Sequence, residues 1–226
     1  MRLLMPFNIQ HSTFSILLVR WAFERLYREF AWAYDVVAAA VSGGLWRRWA
    51  LAALPFIRGR VLELGFGPGH LQLALAADSK NTPFGIDASP QMVSLARRRL
   101  RRAGLPARIS RAHAQHIPLA NASFDTVLAT FPAEYIVDPR THAEILRVLA
   151  PGGRVVILPL AQLDRSLYAR LVDLAYRLTL QSPVAHADRQ NTPTPAMQIG
   201  DVSLSPHWVR VGPSRALVLV GDLGSE

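Results

Sequence analysis

The chain has 226 residues, half of them hydrophobic, which is enough for one well-buried α/β domain with a terminal extension and too few for two comfortable domains. Its 25 basic and 16 acidic residues leave a formal charge of +9, carried almost wholly by arginine because Lys80 is the only lysine; the balance favours an anionic partner and says nothing of fold. The absence of cysteine excludes disulfides, thiolate zinc sites and a cysteine nucleophile.

Met1 to Met5 begins like a secretory leader, but Pro6, Asn8, Gln10 and His11 interrupt the apolar core such a leader needs. Arg20, Glu24, Arg25, Arg28 and Asp35 break up the candidates for a membrane span, so the expectation is a cytoplasmic protein. Residues 14–41 read as a helix, with Leu17, Leu18, Trp21, Ala22, Leu26, Phe30 and Tyr34 near a three-or-four spacing, ended by Ser42-Gly43-Gly44. A second helix over 45–56 carries Trp46 and Trp49 beside Arg47 and Arg48, and Pro55 marks its exit. The expected division is a helical cap over residues 1–57 and one domain over 58–226. Trp21, Phe23, Phe30 and Trp32 alternate with Arg20, Arg25 and Arg28, a pattern that suits a peripheral contact with an anionic membrane as well as it suits a cap packed on the core.

The stretch from Arg60 to Ala76 organises the rest. Val61, Leu62 and Leu64 make a short apolar run suited to a buried strand, and Leu71, Leu73 and Leu75 with their alanines form a helix. Between them Gly65, Gly67 and Gly69 let the backbone turn sharply towards a ligand, and Pro68 suits a first helical turn. A dinucleotide fingerprint would put its third glycine at position 70, where His70 stands; the pattern is Glu-x-Gly-x-Gly-x-Gly from Glu63. An acidic residue leading into the loop suits a ligand carrying an ammonium group and no pyrophosphate. The next strand, Thr82 to Asp87, ends in a carboxylate that can accept both ribose hydroxyls of an adenosine ligand. Asp87 could also cap the following helix, though Ser89 before Pro90 is better placed for that.

The helix from Pro90 to about Ala103 turns Met92, Val93, Ala96 and Leu100 inward, with Leu95 at the margin and Arg97, Arg98, Arg101 and Arg102 outward. No aromatic residue interleaves with these arginines, so no nucleic-acid partner is expected. Further strands are expected at 107–112 and 124–130, a helix from Asp138, and a strand at 155–158. Then come a helix from about Ala161 to Leu178, a mobile polar loop over 181–206, and two strands, His207–Val211 and Ala216–Gly221, joined by a tight turn.

The Glu63–Gly69 loop resembles motif I of the class I S-adenosylmethionine-dependent methyltransferases. Three further strings, His113-Ala114-Gln115-His116-Ile117-Pro118, Ser123-Phe124-Asp125 and Arg147-Val148-Leu149-Ala150-Pro151-Gly152-Gly153-Arg154, are similar to Asp-Ala-x-x-Leu-Pro, Ser-Phe-Asp and Arg-Val-Leu-x-Pro-Gly-Gly-x in relatives of the ubiquinone and menaquinone biosynthesis C-methyltransferases. The resemblance implies an α/β, Rossmann-like fold: a seven-stranded, mostly parallel sheet with helices on both faces, an antiparallel C-terminal strand and an N-terminal helical cap. It implies S-adenosylmethionine as cofactor, held by Glu63, Gly65, Phe66, Gly67, Gly69, Asp87, Ala88, His113, Ala114, Thr130 and Phe131. His113 stands where the family aspartate would meet the adenine amino group, so it would have to accept through a ring nitrogen. Glu134 and Tyr135, beyond the fourth strand, are the candidate catalytic residues, for acid/base work or for orienting the acceptor. No Asn/Asp-Pro-Pro-Tyr/Phe string follows that strand, which argues against nucleobase amines and for a small hydrophobic methyl acceptor. No metal is expected, because no third ligand accompanies His113 and His116 at metal spacing. Two rivals stand beside this reading: a nicotinamide-dependent oxidoreductase, disfavoured by the glycine spacing and the terminal strand pair, and a non-catalytic module that binds S-adenosylmethionine.

Overall fold

The computed structural model describes residues 44–163 and 197–224. The expected helix over 14–41, with its aromatic and arginine residues, lies outside the described residues, as do most of the expected 161–178 helix and residues 181–196 of the expected loop. In chain order the elements are α1 (Trp46–Ala50), a 3-10 helix (Leu51–Phe56), β1 (Gly59–Leu64), α2 (His70–Ala77), β2 (Asn81–Asp87), α3 (Pro90–Arg102), β3 (Ile109–Arg111) and β4 (Phe124–Thr130). A second 3-10 helix (Glu134–Val137), α4 (Pro139–Val148), β5 (Leu149–Leu163), β6 (Met197–Ile199), β7 (Val202–Val211) and β8 (Ser214–Asp222) complete them.

The strands form one sheet in the order β3-β2-β1-β4-β5-β8-β7-β6. The first five are parallel, β8 runs antiparallel to β5, and β7 and β6 follow as antiparallel neighbours. Because successive side chains point to opposite faces, the β1 run is divided between two cores. Val61 packs with Leu128, Val156 and Val218 against Leu71 and Leu75 of α2 and Trp49, Ala52 and Ala53 of the N-terminal helices. Leu62 and Leu64 pack with Val127, Val155 and Leu217 against Ile145 and Val148 of α4. A smaller cluster joins Phe66 to Val93, Ala96 and Leu100 on the inner face of α3. The outward arginines 97, 98, 101 and 102 of that helix are exposed, as its spacing predicts.

Two of the strings read from the sequence are braces. Asp125 accepts the Arg60 amide at 2.7 Å, and Thr126 donates its hydroxyl to the Arg58 carbonyl at 2.8 Å, so the start of β4 fixes the entry to β1. Arg147 pairs with Glu144 at 2.7 Å and donates to Asn121 Oδ1 and to the carbonyls of Ile117 and Leu119, fastening the 117–121 segment to α4. That pairing, together with the Ile117 amide on Glu144, holds the Glu144 carboxyl down at about 2.

Several expectations need correction. The sheet has eight strands, because Met197–Ile199 adds a short edge strand beside β7. Residues 197–206, expected within a mobile loop, form that hairpin and the start of β7: Ile199 pairs with Val202 across Gly200-Asp201, with Gly200 at φ 56. Residues 161–163, expected to open a helix, continue β5 instead, since Leu160 and Ala161 pair with Leu217 and Ala216. Pro159 does not end the strand, because the register shifts between Ile157 and Leu160 and absorbs the missing N–H there. The helix expected over 45–56 is five residues of α-helix followed by a 3-10 turn containing Pro55.

Candidate cofactor site

The strand order reverses between β1 and β4, so a crevice opens beyond the carboxyl ends of the parallel strands, where ligands of open α/β sheets sit. The loop from Gly65 to Gly69 leaves β1 at this point. Its Gly65 amide donates to the Ile86 carbonyl at 2.8 Å, and its Gly67 amide donates to Asp87 Oδ2 at 2.8 Å, while Ser89 donates its amide to Oδ1 at 2.8 Å. Asp87 thus binds the loop to the end of β2. Gly69 turns left-handed at φ 80, and a Cβ there would meet the Ala96 methyl at 2.6 Å, so only glycine lets α2 start this close to α3. Arg99 of α3 clasps the loop by donating to the Pro68 carbonyl.

Glu63 lies beneath the loop and is 1% exposed. Its Oε2 accepts from Gln72 Nε2 at 2.8 Å, and the same amide reaches the Phe84 carbonyl at 3.1 Å. Burial pushes the Glu63 carboxyl from its ordinary 4.5 up to about 7, against the pull of the Gln72 hydrogen bond and with a further push from Asp87. Room for Gln72 comes from β2, since a Cβ at Gly85 would stand 2.8 Å from the Phe66 ring and 3.0 Å from Gln72 Nε2.

From the β4 side, Tyr135 reaches across and donates its hydroxyl to the Leu64 carbonyl at 3.0 Å, so close over Gly65 that a Cβ there would lie 2.7 Å from the oxygen. Burial raises the phenol above its ordinary value, and the carboxylates of Asp87 and Glu63 add to the shift. It therefore stays protonated across the usual pH range and is suited to donating a hydrogen bond, not to accepting a proton. Phe131 has a positive φ of 47, and its ring stacks on Trp46 at 4.1 Å between centroids and 25° between planes.

The remaining predicted residues are distributed as follows. Phe66 is buried against α3, which leaves its backbone at the loop. Ala88 is exposed after Asp87, and its carbonyl accepts from Arg111 Nε at 3.2 Å. His113 is exposed and forms an isolated bridge with His116, whereas Ala114 between them is buried in the main core. Thr130 closes β4 half-buried, and Glu134 is exposed. Glu63, Asp87 and Tyr135 thus converge on the glycine loop, while Glu134 stands exposed at the start of the second 3-10 helix. Gln72 was not singled out by sequence; its signal is a polar residue on the inward face of a leucine helix, nine positions after a buried acid. Nothing in the sequence pairs Trp46 with Phe131.

Comparison with known proteins agrees with this geometry. Residues 61–153 match the family model described as a methyltransferase domain. The chain is 35% identical over 139 residues to a demethylmenaquinone methyltransferase of Thermus thermophilus, covering 59% of this chain and 63% of that one. It is 32% identical over 158 residues to a ubiquinone/menaquinone biosynthesis C-methyltransferase of Geotalea uraniireducens, covering 64% and 67%. The chain spans about three fifths to two thirds of the length of the curated relatives it matches. A solved S-adenosyl-L-methionine-dependent methyltransferase-type structure from Methanococcus maripaludis superposes with a TM-score of 0.56 over 88% of this chain and 94% of that one, at 15% identity, and so shares the fold. Glycine spacing, strand order and these matches lead to one conclusion: the chain belongs to the class I S-adenosylmethionine-dependent methyltransferases.

Proposed function

We propose that the protein transfers the methyl group of S-adenosylmethionine to a small hydrophobic acceptor of the kind met in quinone biosynthesis. The observation that supports the cofactor's seat is the pair of buried carboxylates, Glu63 and Asp87, around a loop stripped of side chains at Gly65 and Gly67. That set suits a ligand with an ammonium group, a sulfonium and two ribose hydroxyls, and its two carboxylates disfavour a pyrophosphate. In this reading Asp87 accepts the ribose hydroxyls, Glu63 faces the aminoacyl end, and the backbone of Gly65, Phe66, Gly67 and Gly69 passes beneath the sugar. Ala88, His113 and Ala114 border the adenine, and Thr130 and Phe131 border the sulfonium. The bound cofactor supplies an electrophilic methyl carbon, so the residues of this chain have mainly to hold an acceptor in line with it at roughly 3 to 3.5 Å. Tyr135, protonated, orients; the exposed Glu134 is the remaining candidate for moving a proton.

The acceptor class is supported by the quinone-biosynthesis names of the relatives and by the missing Asn/Asp-Pro-Pro-aromatic string after β4. The test is mass spectrometry of a lipid extract and a polar extract, each incubated with the protein and methyl-labelled cofactor. Label is expected in the lipid fraction; label confined to polar metabolites would overturn the acceptor class, and cofactor binding without transfer to either would favour a non-catalytic module. A peripheral contact with an anionic membrane through residues 20–32 belongs to the same reading. Among the described residues no helix is long and apolar enough to cross a membrane. Co-sedimentation with anionic but not neutral liposomes, lost when residues before Phe30 are deleted, is the expected result.

A further inference from the structure

We infer that Trp46 is a positioning residue of the cofactor site: by stacking on Phe131 it holds the turn after β4 that sets the Tyr135 hydroxyl over Gly65. The functional consequence rests on the cofactor reading above; the structural coupling does not.

The inference starts from a conflict at one residue. Phe131 takes a φ of 47, which bulky side chains adopt only when their surroundings enforce it. Three contacts provide that enforcement. The Phe131 amide donates to the Leu158 carbonyl of the neighbouring strand at 2.7 Å. Its ring lies on Trp46 and 6.4 Å from Trp49. Trp49 in turn anchors α1, because its indole N–H donates to Ser214 Oγ at 2.8 Å and that hydroxyl donates to the Val211 carbonyl at 2.5 Å. The aromatic platform is therefore pinned to the β7–β8 hairpin.

The turn at Phe131 sends the chain back across the end of β1. Four residues later the second 3-10 helix buries Ile136 in the main core and lays Tyr135 over the glycine loop, with its hydroxyl on the Leu64 carbonyl. Without the left-handed residue β4 would run straight outward, and Tyr135 would leave Gly65, Glu63 and Asp87 open to water. A single line of contacts thus joins the N-terminal helix to the loop: Trp46 to Phe131, Phe131 to the turn, the turn to Tyr135, and Tyr135 to Leu64 and Gly65. Along this line the effect of Trp46 on the site passes through Phe131 and Tyr135.

The test is a double-mutant cycle with two independent readings, affinity for S-adenosylmethionine by calorimetry and amide hydrogen exchange at Gly65 and Gly67 in the ligand-free protein. Tyr135→Phe should weaken the cofactor about five- to tenfold and speed exchange at both glycines, as expected for losing one buried hydrogen bond. Trp46→Ala should do the same, Trp46→Phe should retain affinity within about twofold, and Tyr135→Phe should add less than about twofold in the Trp46→Ala background. Losses that multiply independently, or a Trp46→Ala protein that is less stable but unchanged in affinity and in exchange at Gly65 and Gly67, would overturn the inference. If the wild-type protein binds no S-adenosylmethionine, the cofactor reading falls and the exchange measurement still decides the coupling. Should Trp46→Ala fail to fold, Trp46→Leu, which keeps an apolar side chain and loses the aromatic stack, takes its place in the cycle.

Discussion

Glu63→Gln should make the ligand-free protein more stable in alkaline buffer while making it a worse cofactor binder. The carboxyl is buried, and its folded value of about 7 stands above the ordinary 4.5. Between those values the folded state binds a proton that the unfolded state has released. The protonated carboxyl therefore contributes its full stability below about pH 4.5, and that contribution is lost as pH rises through about 7. At about 1.4 kcal/mol per pH unit of displacement, ionised Glu63 costs the empty protein about 3 kcal/mol at pH 8 and about 1 kcal/mol at pH 5. Glutamine keeps the acceptor for Gln72 and removes the charge. Urea denaturation without ligand should thus favour Glu63→Gln by about 2 to 3 kcal/mol at pH 8, and the gap should shrink to about 1 kcal/mol or less at pH 5. Saturating S-adenosylmethionine should reverse the order at pH 8, because in the proposed arrangement only the wild-type carboxylate recovers its desolvation cost by facing the ammonium group. A variant equal to or less stable than wild type at pH 8, by the same margin as at pH 5, would refute the argument. So would equal stabilisation of both proteins by the cofactor.

Three shorter predictions follow from other contacts. Asp87→Ala removes the acceptor for the Gly67 and Ser89 amides as well as the proposed ribose contact; calorimetry should find cofactor affinity at least tenfold weaker, each lost charge-assisted bond being worth roughly 1.5 to 3 kcal/mol. Gly85→Ala would press a methyl group against the Phe66 ring and Gln72, so urea denaturation should show a loss of about 1 to 3 kcal/mol with activity per folded molecule reduced through the displaced Gln72. Glu144→Gln should destabilise the protein by about 2 kcal/mol at pH 7. Because Arg147 holds the Glu144 carboxyl below its ordinary range, this difference should persist down to about pH 4.5 and vanish as pH falls towards 2, which an acid titration followed by circular dichroism checks.

Much of the parallel half was legible because its signals are local. A glycine loop between an apolar run and a leucine helix can be read at one place, and so can the Ser89-Pro90 cap, whose hydroxyl accepts the Met92 amide as expected. The antiparallel half was read less well. Pro159 looked like the end of a strand, and only the cross-strand partners Leu217 and Ala216 show that pairing resumes beyond it. Residues 197–206 looked polar because Ser203, Ser205 and Pro206 outweigh Ile199, Val202 and Leu204, yet the period of two in Met197/Ile199 and in Val202/Leu204 and the Gly200-Asp201 pair between them were a hairpin signal. For the site, the glycines and the two acids could be found from spacing. Gln72, and the approach of the Tyr135 hydroxyl to the Leu64 carbonyl, depend on groups 9 and 71 residues apart meeting in space, which no local pattern encodes.

The sheet order also dictates when the molecule can be completed during synthesis. β8 lies between β5 and β7, so its nine residues, made after both, must insert between two strands that already exist. Until they do, β5 presents an open edge bearing Val155, Val156, Ile157 and Leu158, and the platform under Trp46 lacks Ser214, its partner 165 residues from Trp49. A nascent chain stalled before residue 214 would thus carry a formed glycine loop beside an unpaired apolar strand, the condition under which chains associate edge to edge. Docking of β8 closes that edge, and it does so after the glycine loop has already been synthesised.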